Sequence, residues 1–239
     1  MILKKIKTVL LLATISCFIT NSFSQEGEYI TVRDFETWSS VNLEYKPTKK
    51  WDFSLGQQIR LNNDSKEMDE FFTDLGIGYS LNKNFTLGLG TRYITENDNV
   101  GKIQGYENHL RFNFDFGFKH QVNNLKLKYR FRYQTKNELG VSEEEGDFVN
   151  NHFRLKIAGN YNIKKWKLDP SLSAEIFYHS EEGEENEFNK FRITLGTKYK
   201  IKGFGDIGIF YRIERELNAT YPKTTNIAGL KYTYTIKTK

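Results

Sequence analysis

From about residue 37 to residue 237 the chain alternates apolar and polar side chains with a period of two, and no other feature constrains the fold as much. Phe85, Leu87, Leu89, Thr91 and Tyr93 share one parity, with Thr86, Gly88, Gly90 and Arg92 on the other. Leu110, Phe112, Phe114, Phe116 and Phe118 alternate with Arg111, Asn113, Asp115, Gly117 and Lys119. Leu125, Leu127, Tyr129, Phe131 and Tyr133 alternate with Lys126, Lys128, Arg130, Arg132 and Gln134. Successive side chains of a strand point to opposite faces, so each run reads as a strand with one greasy and one wet surface. Nine or more residues of such alternation suffice for a tilted strand to cross a hydrocarbon layer.

Eleven strands fall at roughly 37–46, 51–62, 70–81, 84–95, 105–119, 124–135, 149–162, 166–179, 189–201, 204–216 and 225–237. Short connectors lie near Pro47-Thr48, Asn82-Lys83, Val122-Asn123, Lys164-Lys165 and Lys202-Gly203, and longer ones fill 63–69, 96–104, 136–148, 180–188 and 217–224. Alternating short turns and longer loops are the mark of an all-β, transmembrane antiparallel up-and-down β-barrel. Parity leaves the first of these strands starting on the loop side. A short extra strand near 28–33 restores an even count, so twelve strands are expected, with ten as the second choice.

Aromatic placement supports the same reading. On the apolar parity, Tyr45, Trp51, Tyr79, Phe85, Phe118, Tyr161, Trp166 and Tyr199 flank short turns, and Tyr93, Tyr106, Tyr133, Phe153, Tyr178, Phe191 and Tyr211 sit near the other strand ends. Two such girdles around an apolar band suit the two faces of a bilayer. A mean hydropathy of −0.62 combined with 15% aromatic residues fits strands that show lipid on one face and water on the other.

The chain opens with Lys4, Lys5 and Lys7, an apolar run from Val9 to Ile19, and the small-residue site Ser22-Phe23-Ser24. This is the pattern of a signal peptide over 1–24, leaving 25–239 as a single barrel domain exported to the outer membrane of a Gram-negative bacterium. Cleavage removes Cys17, the only cysteine, and with it any disulfide or thiolate metal site. It also leaves 32 cations against 30 anions, so the formal +5 is mostly targeting signal and no nucleic-acid partner is expected. The long connectors are acidic (Glu143, Glu144, Glu145 and Asp147; Glu181, Glu182, Glu184, Glu185 and Glu187), which reads as solvated loop, or as divalent-cation bridging to lipopolysaccharide.

The inward parity holds Arg60, Arg92, Arg111, Arg130, Arg132, Arg154, Arg192 and Arg212, with Lys126, Lys128, Lys156 and Lys198. Asp74, Asp115, Asp169, Glu175, Asp206, Glu107 and Glu214 share that face. Tight hairpins would pair Asp115 with Lys128, His152 with Glu175, Lys198 with Asp206 and Lys190 with Glu214, holding register through opposite charge. The excess of arginine, whose fork matches carboxylate and phosphate, makes these eight residues the candidates for holding an anionic solute. Gly76, Gly78, Gly88 and Gly90, also inward, make room or permit curvature. His109, His152 and His179 lie inward near the loop-side rim without a close ligand spacing, so neither a metal site nor a cofactor is expected.

Asp34-Phe35-Glu36-Thr37-Trp38, Trp51 with Gln57-Gln58-Ile59-Arg60, Tyr129-Arg130-Phe131-Arg132-Tyr133 and Asn151-His152-Phe153-Arg154 carry a resemblance to the outer-membrane proteins grouped as domain-of-unknown-function family 2490. The resemblance extends over essentially all of 25–239 and implies a membrane barrel; it supplies no catalytic residue. The terminal aromatic that many outer-membrane barrels use as an insertion signal is missing from the closing Ile236-Lys237-Thr238-Lys239.

The resulting expectation is a narrow pore or ligand-binding channel with a cationic lumen for small anionic solutes. The alternative is a plugged barrel, structural or interacting through acidic outer loops. A membrane-embedded lipid hydrolase is disfavoured, because His179 and Ser180 are adjacent in sequence and point to opposite faces. Expected partners are outer-membrane lipid and lipopolysaccharide, the barrel-assembly machinery and a small anion.

Overall fold

The structure, a computed structural model, describes residues 32–98, 104–142, 144, 149–164, 166–181 and 186–238. The expected signal peptide lies outside these, as do Glu143, Glu145, Asp147, Glu182, Glu184 and Glu185 of the acidic connectors. The described residues form a closed barrel of eleven strands: β1 (Val32–Lys46), β2 (Trp51–Asn62), β3 (Glu67–Ser80), β4 (Phe85–Asp98), β5 (Gly105–Val122), β6 (Leu125–Glu138), β7 (Asn150–Tyr161), β8 (Leu168–Ser180), β9 (Glu187–Ile201), β10 (Gly205–Glu216) and β11 (Lys223–Lys237). Each strand pairs antiparallel with the next in sequence.

Neither twelve nor ten strands is correct. The barrel closes with an odd count because β1 and β11 pair in parallel, in unbroken register from Val32 opposite Lys223 to Lys46 opposite Lys237. A parallel seam lets both strands run from the loop side to the turn side, which an all-antiparallel closure forbids. Of the extra strand expected near 28–33, Val32 and Arg33 belong to β1 itself, and 28–31 lie outside the described residues. Parallel pairing is slightly weaker per residue than antiparallel, and the length of the seam offsets that deficit.

A second correction concerns 63–69, expected as a longer loop. It is a tight turn over 63–66, where Asn63, Asp64 and Ser65 all take left-handed backbone (φ 49°, 56° and 63°) and Lys66 N–H donates to Asn62 O at 3.0 Å. Asparagine and aspartate tolerate that conformation better than other side chains with a Cβ.

The outer surface carries the apolar parity. Leu43, Leu55, Leu75, Leu89, Phe112, Leu155, Leu172, Leu195, Ile209 and Leu230 are all exposed there. The expected girdle residues pack as tilted ring pairs across strands: Trp51 against Tyr79 at 4.6 Å and Phe85 against Phe118 at 4.9 Å near the turns, and Tyr133 against Phe153 at 5.2 Å near the loops. An apolar belt of this extent is far beyond the patches a monomer ordinarily shows to water.

Candidate functional site in the barrel interior

All eight arginines expected in the lumen line one cavity of about 890 Å³. A second space of about 820 Å³, reaching the turns at Asn124 and Asn162, shares Lys128, Arg130, Lys156, Arg212 and Lys231 with the first. Sixteen lysine and arginine side chains and six carboxylates line the two spaces together, and Glu96, Glu214 and Asp206 stand just behind the lining as ion-pair partners of Lys136, Lys190, Arg192 and Lys198. The enclosed interior is therefore strongly positive although the chain as a whole is nearly balanced, and low-dielectric walls concentrate that field.

Toward the loop side the interior is crossed by a packed layer to which every strand contributes. Trp38, Phe72, Ile94, Arg111, Gln134, Arg154, Phe177, Glu175 and Ile227 are buried, and the side chains of Arg60, Arg192 and Glu214 are only 16%, 13% and 13% exposed. Cations lie flat on rings. Arg60 sits 3.8 Å from the Trp38 centroid, Arg92 3.4 Å from Phe72, Arg154 4.4 Å from Phe177, and Arg212 4.6 Å from Trp38. Desolvated cation–ring contacts of this kind reach about 2 kcal/mol.

Carboxylates knit the same layer. Glu175 receives Arg130 Nη2 at 2.7 Å and Arg154 Nη2 at 2.8 Å, with Arg192 Nη1 at 3.7 Å. Arg192 also pairs with Glu214. Asp74 takes a two-pronged bond from Arg92 (2.5 and 2.7 Å), and Asp115 takes one from Arg132 (2.6 and 2.7 Å). Such fork geometry gives direction as well as attraction.

The four expected ion pairs divide evenly. Lys198 with Asp206 (3.3 Å) and Lys190 with Glu214 (2.9 Å) form. Asp115 does not meet Lys128: the β5–β6 turn is Asn123-Asn124, with Asn123 left-handed at φ 54°, so Arg132 stands opposite Asp115 and Lys119 opposite Lys128. His152 does not meet Glu175, because the β7–β8 connection lies further along the chain and brings His179 opposite His152. Those two rings meet edge-on at 4.9 Å, while His109, on β5, contacts Glu96 and Glu107 at 3.5 Å.

The walls of the interior differ. On β2 to β5 the turn-side half carries Gly56, Gly76, Gly78, Gly88, Gly90 and Gly117, interleaved with Ser54, Thr86 and Asn113. Short polar side chains lean over them: a Cβ on Gly76 would meet Ser54 Oγ at 2.5 Å, and one on Gly90 would meet Asn113 Oδ1 at 2.9 Å, so each neighbour would have to turn aside. On the opposite wall, β6, β7, β10 and β11 present Lys126, Lys128, Lys156, Arg212 and Lys231. The glycines leave the space, and the long cations face it.

Sequence reasoning missed the packed layer. Its signal was present as breaks in the pattern: Trp38, Phe72, Ile94, Phe177, Phe210 and Ile227 are large apolar residues on the otherwise polar parity.

Closure, an apolar exterior and a cationic interior crossed by ion pairs define this molecule as a closed up-and-down β-barrel with a charge-lined lumen. The chain belongs to the family described as protein of unknown function, DUF2490, which matches residues 35–225. No curated protein matches it, and no solved structure does. Glu36, Trp38, Arg60, Arg130, Arg132, His152 and Arg154, drawn from the runs that carry the family resemblance, all face the interior just described.

Proposed function

We propose that this chain is an integral outer-membrane β-barrel that admits small anionic solutes into its cationic lumen and is closed to steady flow by the arginine–aromatic layer. The carrying observation is the excess of cations around the interior, sixteen against nine carboxylates once Glu96, Glu214 and Asp206, which pair with lining cations, are counted. A lumen that only needed filling would be served by balanced pairs, because unpaired enclosed charge costs stability. The exposed apolar belt between two aromatic girdles supports lipid as the surroundings.

Equilibrium dialysis of the detergent-folded barrel with labelled phosphate and, separately, labelled rubidium tests this reading. Phosphate is retained in excess, rubidium is not, and retention falls as ionic strength rises. Equal retention of both ions, or of neither, contradicts it.

The plugged barrel is the second reading, and the packed layer favours it. It differs in one respect: the interior takes up no solute at all, and contact with partners is left to the loops. The same dialysis separates the two. No catalytic residues are proposed, since Ser180 sits across from Asn151 on the outward parity while His179 faces His152 inside.

A further inference from the structure

We propose that the turn-side half of the lumen is a binding site for a compact multivalent anion of the phosphate type, held by Lys126, Lys128, Lys156, Lys231 and Arg212. This rests on the reading that the lumen admits small anions, and adds where the anion sits and what charge it carries.

The loop-side arginines are already spoken for by carboxylates: Arg92 by Asp74, Arg132 by Asp115, Arg130 and Arg154 by Glu175, and Arg192 by Glu214. Among the described residues, Lys126, Lys128, Lys156, Lys231 and Arg212 have no carboxylate within 4.0 Å, although they line the same enclosed space. Arg212 donates to the Thr194 hydroxyl at 3.0 Å and lies over the Trp38 and Phe210 rings, but meets no carboxylate within 4.0 Å.

Register makes the arrangement costlier still. Lys128 stands directly opposite Lys119, Lys156 stands between Arg130 on β6 and Glu175 on β8, a carboxylate already engaged by Arg130 and Arg154, and Lys198 and Lys231 flank Gly208 from its two sides. Like charges in facing strand positions repel, and Arg130 Nε is buried without an acceptor. A fold optimised for stability alone would place glutamine or serine at such positions. Cations gathered without counter-charge around a preformed space are what a bound anion would require.

The chemistry of the occupant follows from the number of charges and the volume. Five unpaired cations around one space call for several negative charges on a single body, because a monovalent ion would leave most of the repulsion in place. Lysine ammoniums are compact point charges with rotatable donors and suit phosphoryl oxygens at varied angles. A space of about 820 Å³ is the size of a small-molecule site. The space reaches the turn-side rim at Asn124 and Asn162, the end from which a free solute would enter. A lipid headgroup stays with its acyl chains on the outer surface.

The test is calorimetric titration of the full barrel, folded in zwitterionic detergent, with pyrophosphate, using chloride as the monovalent comparator. Pyrophosphate binds at one per barrel and at least tenfold more tightly than chloride, and K128Q/K156Q lowers its affinity at least tenfold. K66Q, on the exposed β2–β3 turn, leaves it unchanged. Without ligand, K128Q melts no lower than the wild type, since the change relieves the repulsion with Lys119; a merely structural lysine would lower the melting temperature. K231Q, on β11, gives an independent loss of at least threefold should the double variant fail to fold.

Pyrophosphate affinity that survives K128Q/K156Q and K231Q overturns the site while leaving the anion reading intact. Chloride binding as tightly as pyrophosphate overturns the multivalent assignment. Displacement of pyrophosphate by anionic phospholipid doped into the micelle overturns the free-solute assignment. Absence of binding by any anion at low ionic strength sinks both the site and the reading beneath it.

Discussion

Arg154 and Glu175 meet diagonally across adjacent strands, Nη2 to Oε1 at 2.8 Å, where the glutamate side chain is only 2% exposed. Arg130 converges on the same carboxylate and Arg192, itself paired with Glu214, approaches it at 3.7 Å, so one acidic group offsets two guanidiniums and borders a third. Replacing Glu175 with Gln leaves Arg130 and Arg154 enclosed without their carboxylate, a change that typically costs about 3–5 kcal/mol. Urea unfolding of E175Q in lipid vesicles is expected to show a midpoint shifted down accordingly; a midpoint equal to that of wild type would remove Glu175 from its central place.

The packed layer is expected to be the barrier to flow. Wild-type protein in a planar bilayer gives no steady current. Trp38→Ala removes the ring beneath Arg60 and Arg212 and near Arg192, and opens a conductance whose reversal potential under a salt gradient lies on the anion side. Cation preference in that variant would contradict the cationic lumen.

The outer belt makes a prediction that separates lipid from water. Leu89 sits midway between Phe85 and Tyr93 on the outward face of β4 and is 62% exposed. At the midplane of a bilayer, Leu89→Arg costs about 2–4 kcal/mol, whereas an exposed leucine on a water-facing surface accepts arginine nearly without cost. Unfolding in vesicles measures the difference.

The parallel seam can be tested covalently. Val41 on β1 stands opposite Tyr232 on β11, both outward, and cleavage after Ser24 would leave no other cysteine. A V41C/Y232C double variant is expected to form a disulfide on oxidation, seen as a reduction-sensitive change in gel mobility. A twelve-stranded barrel would interpose another strand and leave the two thiols apart.

The sequence made the faces of the strands legible but not their register. Parity alone placed all eight arginines inside, because a strand allows each residue only two directions. Which residues stand opposite each other depends on where a turn falls, and a shift of two residues keeps every face correct while exchanging every partner. Pairing Asp115 with Lys128 needs the β5–β6 turn two residues earlier in the chain than Asn123-Asn124, where it puts Arg132 against Asp115. The arginine–aromatic layer was hidden for a different reason: Trp38 on β1 meets Arg192 on β9 through the lumen, a contact that no local pattern encodes. The strand count failed on the assumption that every neighbour is antiparallel, which the β1–β11 seam breaks.

The most direct measurement is the circular dichroism and thermal melt of purified 25–239, with phospholipid vesicles and with neither lipid nor detergent present. The outward surface of Leu, Ile, Val and aromatic side chains requires acyl surroundings, so a cooperative β-spectrum is expected with vesicles and aggregation without them. A dispersed, cooperatively melting β-protein in plain buffer would contradict the membrane assignment and everything built on it.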